Sequence, residues 1–183
     1  MLKPLILFVL SSVVTLEAVS ILRVLHSDEL LETPSEDTLE VEEELPSAPE
    51  WTKLCGVYAS EDLDLLVERV SEDTGVEAAL LAAVMTKEST CRPDAIGDAG
   101  EIGLTQVHPR VWTRQLRKQG FIESEGDLFD PETNLRCSAH ILGGHLKRSD
   151  GNVWQALRRY NGAGPKARKY ADRVFATYLQ LQD

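Results

Sequence analysis

The sequence predicts one folded domain that is all-α, with at most minimal β structure. Apolar residues recur at helical spacing from about residue 60 onward, and residues that start and stop helices stand at the borders of these segments. No alternating apolar and polar run is longer than a few residues. With 183 residues, 43% of them hydrophobic, the chain can build one compact core.

Of the first two predicted helices, the second is expected at the centre of this domain. In the first, apolar side chains recur every three or four positions, at Leu63, Leu66, Val67 and Val70. Gly75 stands where this helix would end. The next segment, EAALLAAVMTKES, is apolar on nearly all sides until its last turn, which is typical of a buried helix.

Helices are also predicted in the second half of the chain. A glycine-rich loop, residues 93–103, precedes a helix that includes Val111 and Leu116. Asp130 can cap the following helix, because Pro131 suits its first turn and the pattern then runs toward Lys147.

Two shorter patterns complete the helical assignment. Asn152 can cap one more helix, and a last helix spans roughly Lys166 to Leu179. Within the helix that begins near Asp130, the pair Gly143-Gly144 is expected to permit close helix contact.

The histidines and tryptophans are weaker signals. His140 and His145 are five positions apart and do not share a face, so we expect packing or surface roles and no metal site. The three tryptophans, Trp51, Trp112 and Trp154, are expected in the core more than as sugar platforms.

The charge pattern divides the chain into three parts. In residues 1–25, Lys3 precedes an uncharged run, which predicts a signal peptide or an N-terminal membrane anchor. Residues 26–50 are rich in acids and prolines and predict a disordered linker. The folded domain is expected at residues 51–183.

The folded part carries a moderate basic surplus, because residues 110–183 hold 13 bases and 8 acids. This balance suits an anionic polymer. We expect no nucleic-acid partner, because the sequence contains neither a basic cluster interleaved with aromatics nor zinc-finger spacing.

The three cysteines can be interpreted once export is assumed, because disulfides persist in oxidising compartments. Cys91 and Cys137 are the expected disulfide pair, since each lies near a helix end or first turn and the bridge would close a long loop. The alternative is three buried, unpaired thiols.

Glu88 is a candidate general acid. It lies where the buried helix ends, and both desolvation and the negative end of the helix dipole disfavour its charged form. Its pKa is therefore expected to be raised, which lets a carboxyl group hold a proton near neutral pH. The alternative is that Glu88 points outward and pairs with Lys87 or Arg92.

Four segments in order resemble the soluble lytic transglycosylase domain: ESTCRPDA, GEIGLTQVHP, DPETN and YNGAGPKARKYADRV. The resemblance covers about residues 55–178 and is greatest to small invasion- and secretion-associated members. It implies a lysozyme-like compact helical fold with a catalytic cleft.

The resemblance also implies roles for residues in the first two segments. Glu88 matches the family's catalytic acid, and Ser89 matches the serine that supports the helix end. Gln106 resembles the glutamine that lines the sugar cleft. Thr105 stands where many relatives have methionine and is expected to contact substrate.

Further roles come from the later segments. Tyr160 and Asn161 resemble the residues that close the site opposite the glutamate, and Tyr170 resembles the tyrosine of the last helix. All three are expected to bind substrate. Asn134 matches an asparagine with a structural role.

The implied chemistry uses one acid and no cofactor. Glu88 would protonate the β-1,4 bond between N-acetylmuramic acid and N-acetylglucosamine in peptidoglycan glycan strands, and the product would carry a 1,6-anhydro end. Most glycosidases use two carboxylates, but Asp94, Asp98 and Glu101 are interpreted as turn formers and solvated charges.

Two other functions stay open at this point. One is a hydrolytic muramidase similar to goose-type lysozyme, which would share Glu88 but produce reducing ends. The other is a catalytically silent wall-binding scaffold of a secretion, conjugation, pilus or phage apparatus. Each of the three functions predicts a location in the periplasm or cell envelope, either free or anchored by the N-terminus to the inner membrane.

Overall fold

The computed structural model describes residues 50–182, and this part of the chain is helical, as predicted. Its α-helices are α1 (Glu61–Thr74), α2 (Ala78–Ser89), α3 (Pro109–Lys118), α4 (Pro131–Lys147), α5 (Val153–Asn161) and α6 (Gly164–Gln180). Short 3-10 helices, which the sequence did not predict, occupy Gly56–Tyr58 and Glu125–Phe129. Pairing of β type in the described range is limited to isolated bridges in the loop before α3.

The predicted export segment and acidic linker, residues 1–25 and nearly all of 26–50, lie outside the described residues. Within residues 50–182, no helix is both long enough and apolar enough to cross a membrane.

Local capping explains where the helices begin. The Ser60 side chain accepts a hydrogen bond from the Leu63 amide at the start of α1. Asp130 and Asn152 do the same for α4 and α5, by accepting from amides three residues further on, at 2.8 and 2.9 Å. Gly75 ends α1 with a φ of 69°, the left-handed conformation that favours glycine. The helix predicted near Lys166 begins at Gly164, because Pro165 fits its first turn.

Helix α2 lies at the centre of the domain. Its residues from Ala79 to Met85 are almost completely buried. Helices α1, α4 and α6 pack around it, so a helix that is apolar on all sides loses contact with water on all sides. This burial brings Glu88, in the last turn of α2, to the edge of the main core.

A second, smaller core lies beneath α3 and the loop before it. Ile102, Val107 and Leu116 pack there against Leu128 and Ile141. Trp112 and Tyr160 are partly buried against this core, and Tyr160 contacts the main core as well. A cleft opens where the two cores meet.

The disulfide differs from the predicted pair. Cys91 is joined to Cys55, with their Cα atoms 5.6 Å apart, and Cys137 is a free, buried thiol. The chain leaves α2 through two left-handed residues, Thr90 (φ 53°) and Cys91 (φ 62°), and this turn places Cys91 beside Cys55. Cys137 faces the smaller core instead, where burial raises the pKa of its thiol to about 12.

Candidate active site

A cleft of about 590 Å³ contains the candidate acid. At one end, the cleft is lined by the last turn of α2, which supplies Glu88. The loop before α3 forms one wall with Gln106, and the end of α5 forms another with Tyr160 and Asn161. The structure therefore brings together four of the predicted site residues from three separate segments.

A hydrogen bond from the last helix, α6, holds the Glu88 side chain in place. The Tyr170 hydroxyl of α6 donates a hydrogen bond to Glu88 Oε1 at 2.7 Å. Glu88 is only partly exposed, and Tyr170 is buried. The alternative pairing with Arg92 does not occur, because the Arg92 side chain donates to the Ser89 carbonyl oxygen.

The protonation of Glu88 follows from these surroundings. Burial raises the pKa of Glu88 from 4.5 to about 7. The hydrogen bond from Tyr170 opposes this rise, because it stabilises the ionised carboxylate, whereas the negative charge of Glu101 adds to it. A carboxyl group with this pKa can both donate and accept a proton near neutral pH.

The role of Tyr170 can be tested by titration. We expect Tyr170→Phe to raise the pKa of Glu88 above its wild-type value, because the ionised carboxylate loses its hydrogen-bond donor. The measurement is an NMR titration of the labelled glutamate carboxyl carbons. Tyr178→Phe is the matched control, since the Tyr178 hydroxyl lies on the same helix but donates to Glu77. An unchanged or lower Glu88 pKa in Tyr170→Phe would contradict this expectation.

Ser89 links the end of α2 to the GLTQ turn. Its hydroxyl donates to the Leu104 carbonyl oxygen at 2.8 Å and accepts from the Arg92 amide. Gln106 has a φ of 50°, and its side-chain amide group donates hydrogen bonds to the Ala95 and Gly103 carbonyl oxygens. The Gln106 side chain therefore braces the turn from within, and its remaining edge lines the cleft.

Thr105 requires a correction. It was expected to contact substrate, but its exposed fraction is 0%, and its hydroxyl donates to Asn134 Oδ1 at 2.6 Å. Because its side chain points into the protein, Thr105 supports the turn and cannot touch a ligand in the cleft.

Asn134 is the partner that holds this turn. Its Oδ1 also accepts from the Thr105 amide at 2.9 Å, and its Nδ2 donates to the carbonyl oxygens of Ile102 and Leu128. Asn134 is fully buried, so one side chain satisfies four polar groups that have no access to water. Gly103 is packed so closely against the Asn134 amide that a Cβ atom would collide with it.

Tyr160 joins three elements at the back of the cleft. Its hydroxyl donates to the Thr105 carbonyl oxygen at 3.1 Å and lies 3.0 Å from the Ser138 hydroxyl. Its pKa is raised well above the usual range, first by burial and then by the charge of Glu88. The hydroxyl is used internally, so Tyr160 offers its ring to the cleft, and the neighbouring Asn161 is exposed.

The cleft also contains residues that sequence reasoning did not place there. Asp98 and Glu101, interpreted as turn formers, line its wall, as does Trp112, expected in the core. His145 packs edge-on between Trp112 and Tyr160, and burial lowers the pKa of its imidazole. The sequence signal that could have placed His145 in the cleft was its spacing of four residues from Ile141, because this spacing puts both side chains on one face of α4.

Comparison with known families and proteins supplies a second line of information. Residues 66–178 match the family model "Transglycosylase SLT domain". Invasion protein IagB of Salmonella typhi is 31% identical over 117 residues, which are 59% of this chain and 71% of that protein. Membrane-bound lytic murein transglycosylase C of Serratia proteamaculans is 30% identical over 123 residues, 61% of this chain and 34% of that protein.

Solved structures share the fold. The 70 kDa soluble lytic transglycosylase of Escherichia coli superposes with a TM-score of 0.59 at 21% identity, and the match covers 65% of this chain and 24% of that one. Lytic transglycosylase Slt of Pseudomonas aeruginosa gives the same TM-score and identity, with 64% and 23% covered. The chain thus corresponds to about a quarter of each longer protein, and this likeness concerns the fold alone.

Proposed function

The chain belongs to the transglycosylase SLT domain family, and we infer from this membership that it is a peptidoglycan lytic transglycosylase. The proposed mechanism depends on one observation. The carboxyl group of Glu88 lies in the cleft, and burial raises its pKa to about 7. A proton held there at neutral pH is the reagent that cleavage of a glycosidic bond needs.

In the proposed mechanism, Glu88 first acts as an acid. Its proton passes to the oxygen that joins N-acetylmuramic acid to N-acetylglucosamine, and the bond from that oxygen to C1 breaks. The acetamido group of the substrate stabilises the positive charge that develops on the sugar. The bond from Tyr170 then stabilises the carboxylate that Glu88 has become.

Glu88 next acts as a base. It takes the proton of the C6 hydroxyl of the same sugar, and the C6 oxygen bonds to C1 to form a 1,6-anhydro ring. This attack is intramolecular, so it has a large advantage in effective concentration over attack by water. Glu88 regains its proton, and no cofactor is consumed.

One observation favours a second candidate, hydrolysis. Asp98 and Glu101 line the same cleft as Glu88, and a second carboxylate is what a hydrolytic glycosidase uses to activate water. In the structure Glu101 is engaged by its own loop, because its Oε2 accepts from the Ala99 amide at 3.1 Å. One oxygen of Glu101 is therefore occupied by its own loop, and the two mechanisms differ in their products.

Product analysis separates the two reactions. We expect the full chain to release muropeptides from purified sacculi that end in 1,6-anhydro-N-acetylmuramic acid, each lighter by one water than the hydrolysed product. Mass spectrometry of the released fragments measures this directly. Products with reducing ends would show hydrolysis instead, and intact sacculi would favour the silent scaffold.

We place the protein in the cell envelope. Its proposed polymer lies there, and the Cys55–Cys91 disulfide suits an oxidising compartment. An export segment or anchor at residues 1–25, a linker at 26–50 and a catalytic domain at 51–183 remain the proposed organisation. Local opening of the wall for a secretion, conjugation, pilus or phage apparatus is a use that fits a relative named as an invasion protein.

A further inference from the structure

A second groove, of about 420 Å³, lies beside the catalytic cleft. Helix α3 forms one wall with Gln115 and Gln119, and helix α4 forms the other with His140, Lys147 and Arg148. We call this the α3/α4 groove. The mechanism proposed above uses none of these five residues.

The α3/α4 groove is continuous with the catalytic cleft. Trp112 and Ile141 line both spaces, so these two side chains form the ridge between them. Ile141 and Lys147 are six positions apart on α4, which is about 9 Å along a helix. A polymer bound at Glu88 can therefore extend a substituent over the ridge.

The charges that line the two spaces differ. Among the described residues, no carboxylate lines the α3/α4 groove, whereas the cleft is lined by the carboxylates Asp98 and Glu101 and by one cation, Arg159. Lys147 and Arg148 are exposed, and neither forms an ion pair within residues 50–182. A ligand with carboxylates is therefore attracted more strongly by the groove than by the cleft.

A third cation of the groove, Arg136, does not attract ligands in this way. Arg136 bonds Asp73 of α1 at 2.6 Å and Glu132 of α4 at 2.9 Å, so its charge is already balanced. Arg148 donates to His145 Nδ1 at 3.1 Å, which anchors its guanidinium group at the ridge. Among the residues that the structure describes, Lys147 therefore has no partner for its charge, whereas Arg148 is held by a hydrogen bond.

The pair Gly143-Gly144 lines the α3/α4 groove. The expectation that it permits close helix contact is not met, because a Cβ on Gly143 would lie 3.6 Å from a Val76 methyl group, an ordinary contact. A Cβ on Gly144 would lie 3.6 Å from the Arg148 guanidinium. Glycine lowers the stability of a helix interior, and at position 144 it leaves the Arg148 guanidinium close to the helix backbone with no side chain between them.

We propose that the α3/α4 groove binds the carboxylate-bearing peptide stem of the substrate while the sugars occupy the cleft. This inference rests on the proposed function, because the glycan strands of peptidoglycan carry acidic peptide substituents beside N-acetylated sugars. Lysine and arginine form charge-assisted hydrogen bonds with carboxylates, and the glutamines of α3 offer amides to the peptide backbone.

The test compares two glycan substrates: strands that carry their peptides, and strands stripped of them by an amidase. The stripped strands lack the carboxylates of the peptide and keep only the lactyl carboxylate, which lies close to the sugar. We expect wild-type protein to cleave the first with the higher kcat/KM. Lys147→Glu is expected to lower kcat/KM about tenfold on stem-bearing strands and less than about twofold on stripped strands. Raising the salt concentration should reduce the wild-type preference.

Two further variants keep the test decisive. Gln119→Glu adds a negative charge on the opposite wall and removes no side-chain hydrogen bond that the structure shows. We expect it to lower kcat/KM about threefold on stem-bearing strands alone. Lys53→Glu is the matched control, because it makes the same charge change as Lys147→Glu at an exposed site outside both spaces. Thermal melting of each variant reports whether it folds.

Equal effects on the two substrates, or no effect of either groove variant, would overturn the inference while leaving the proposed function in place. Failure of wild-type protein to cleave either substrate would overturn the proposed function, and the groove inference with it.

Discussion

Replacing Glu88 by glutamine is expected to lower the rate of glycan cleavage about a thousandfold and to leave the fold intact. Glutamine keeps the shape of the side chain and can still accept the hydrogen bond from Tyr170, but it has no acidic proton to transfer. The measurement is the rate of release of soluble fragments from sacculi. Glu72→Gln, an exposed glutamate on α1, is the matched control and should keep wild-type activity.

The stability of Glu88→Gln follows from the pKa of Glu88, which is about 7 in the folded chain against an ordinary 4.5. Between these pH values the folded chain retains a proton that the unfolded chain has released, so the free energy of unfolding of the wild type falls as pH rises. Glutamine does not titrate. Above the Glu88 pKa of about 7, the variant should be at least as stable as the wild type.

The result that would contradict this account is a Glu88→Gln protein that is folded and fully active. A variant that is inactive because it unfolds would instead assign Glu88 a structural role. Urea denaturation and circular dichroism of the same samples distinguish these outcomes from the expected one.

Replacing Asn134 by alanine is expected to lower the free energy of unfolding by about 3–4 kcal/mol, a large effect for one side chain. The change removes four hydrogen bonds and leaves the Thr105 amide and the Ile102 and Leu128 carbonyl oxygens buried without those partners. Urea denaturation measures the loss. Activity should fall as well, because these bonds hold the loop that forms one wall of the cleft.

Asn152→Ala provides the comparison. Asn152 is also an asparagine, but it is exposed and caps α5 with one hydrogen bond, so its loss should lower the free energy of unfolding by only about 1 kcal/mol. If both variants were destabilised equally, Asn134 would not be the centre of a buried network.

Prediction from sequence succeeded where a few neighbouring residues determine the structure. Asp130 and Asn152 cap helices in the structure, as predicted, because a capping side chain bonds an amide only three residues away. The apolar segment of α2 predicted a central helix for a similar reason, since a helix without a polar face has to be surrounded by protein.

Prediction failed where a contact joins residues that are far apart in the sequence. The disulfide joins Cys91 to Cys55, 36 positions away, and not to Cys137. Thr105 resembles a cleft residue by its place in the GLTQ turn, yet its hydroxyl is directed inward by Asn134, 29 positions away. The direction of a side chain in a turn is set by the partner that satisfies its polar atoms, and that partner is not local.

Periodicity, capping residues and short motifs are properties of adjacent residues, and they sufficed to predict the helical class, most helix borders, the family resemblance and the candidate acid. Contacts between distant segments came from the structure: Tyr170 reaches Glu88, Cys91 pairs with Cys55, and a basic groove opens beside the cleft. Each of these depends on which faces of distant helices meet, and packing in three dimensions selects those faces.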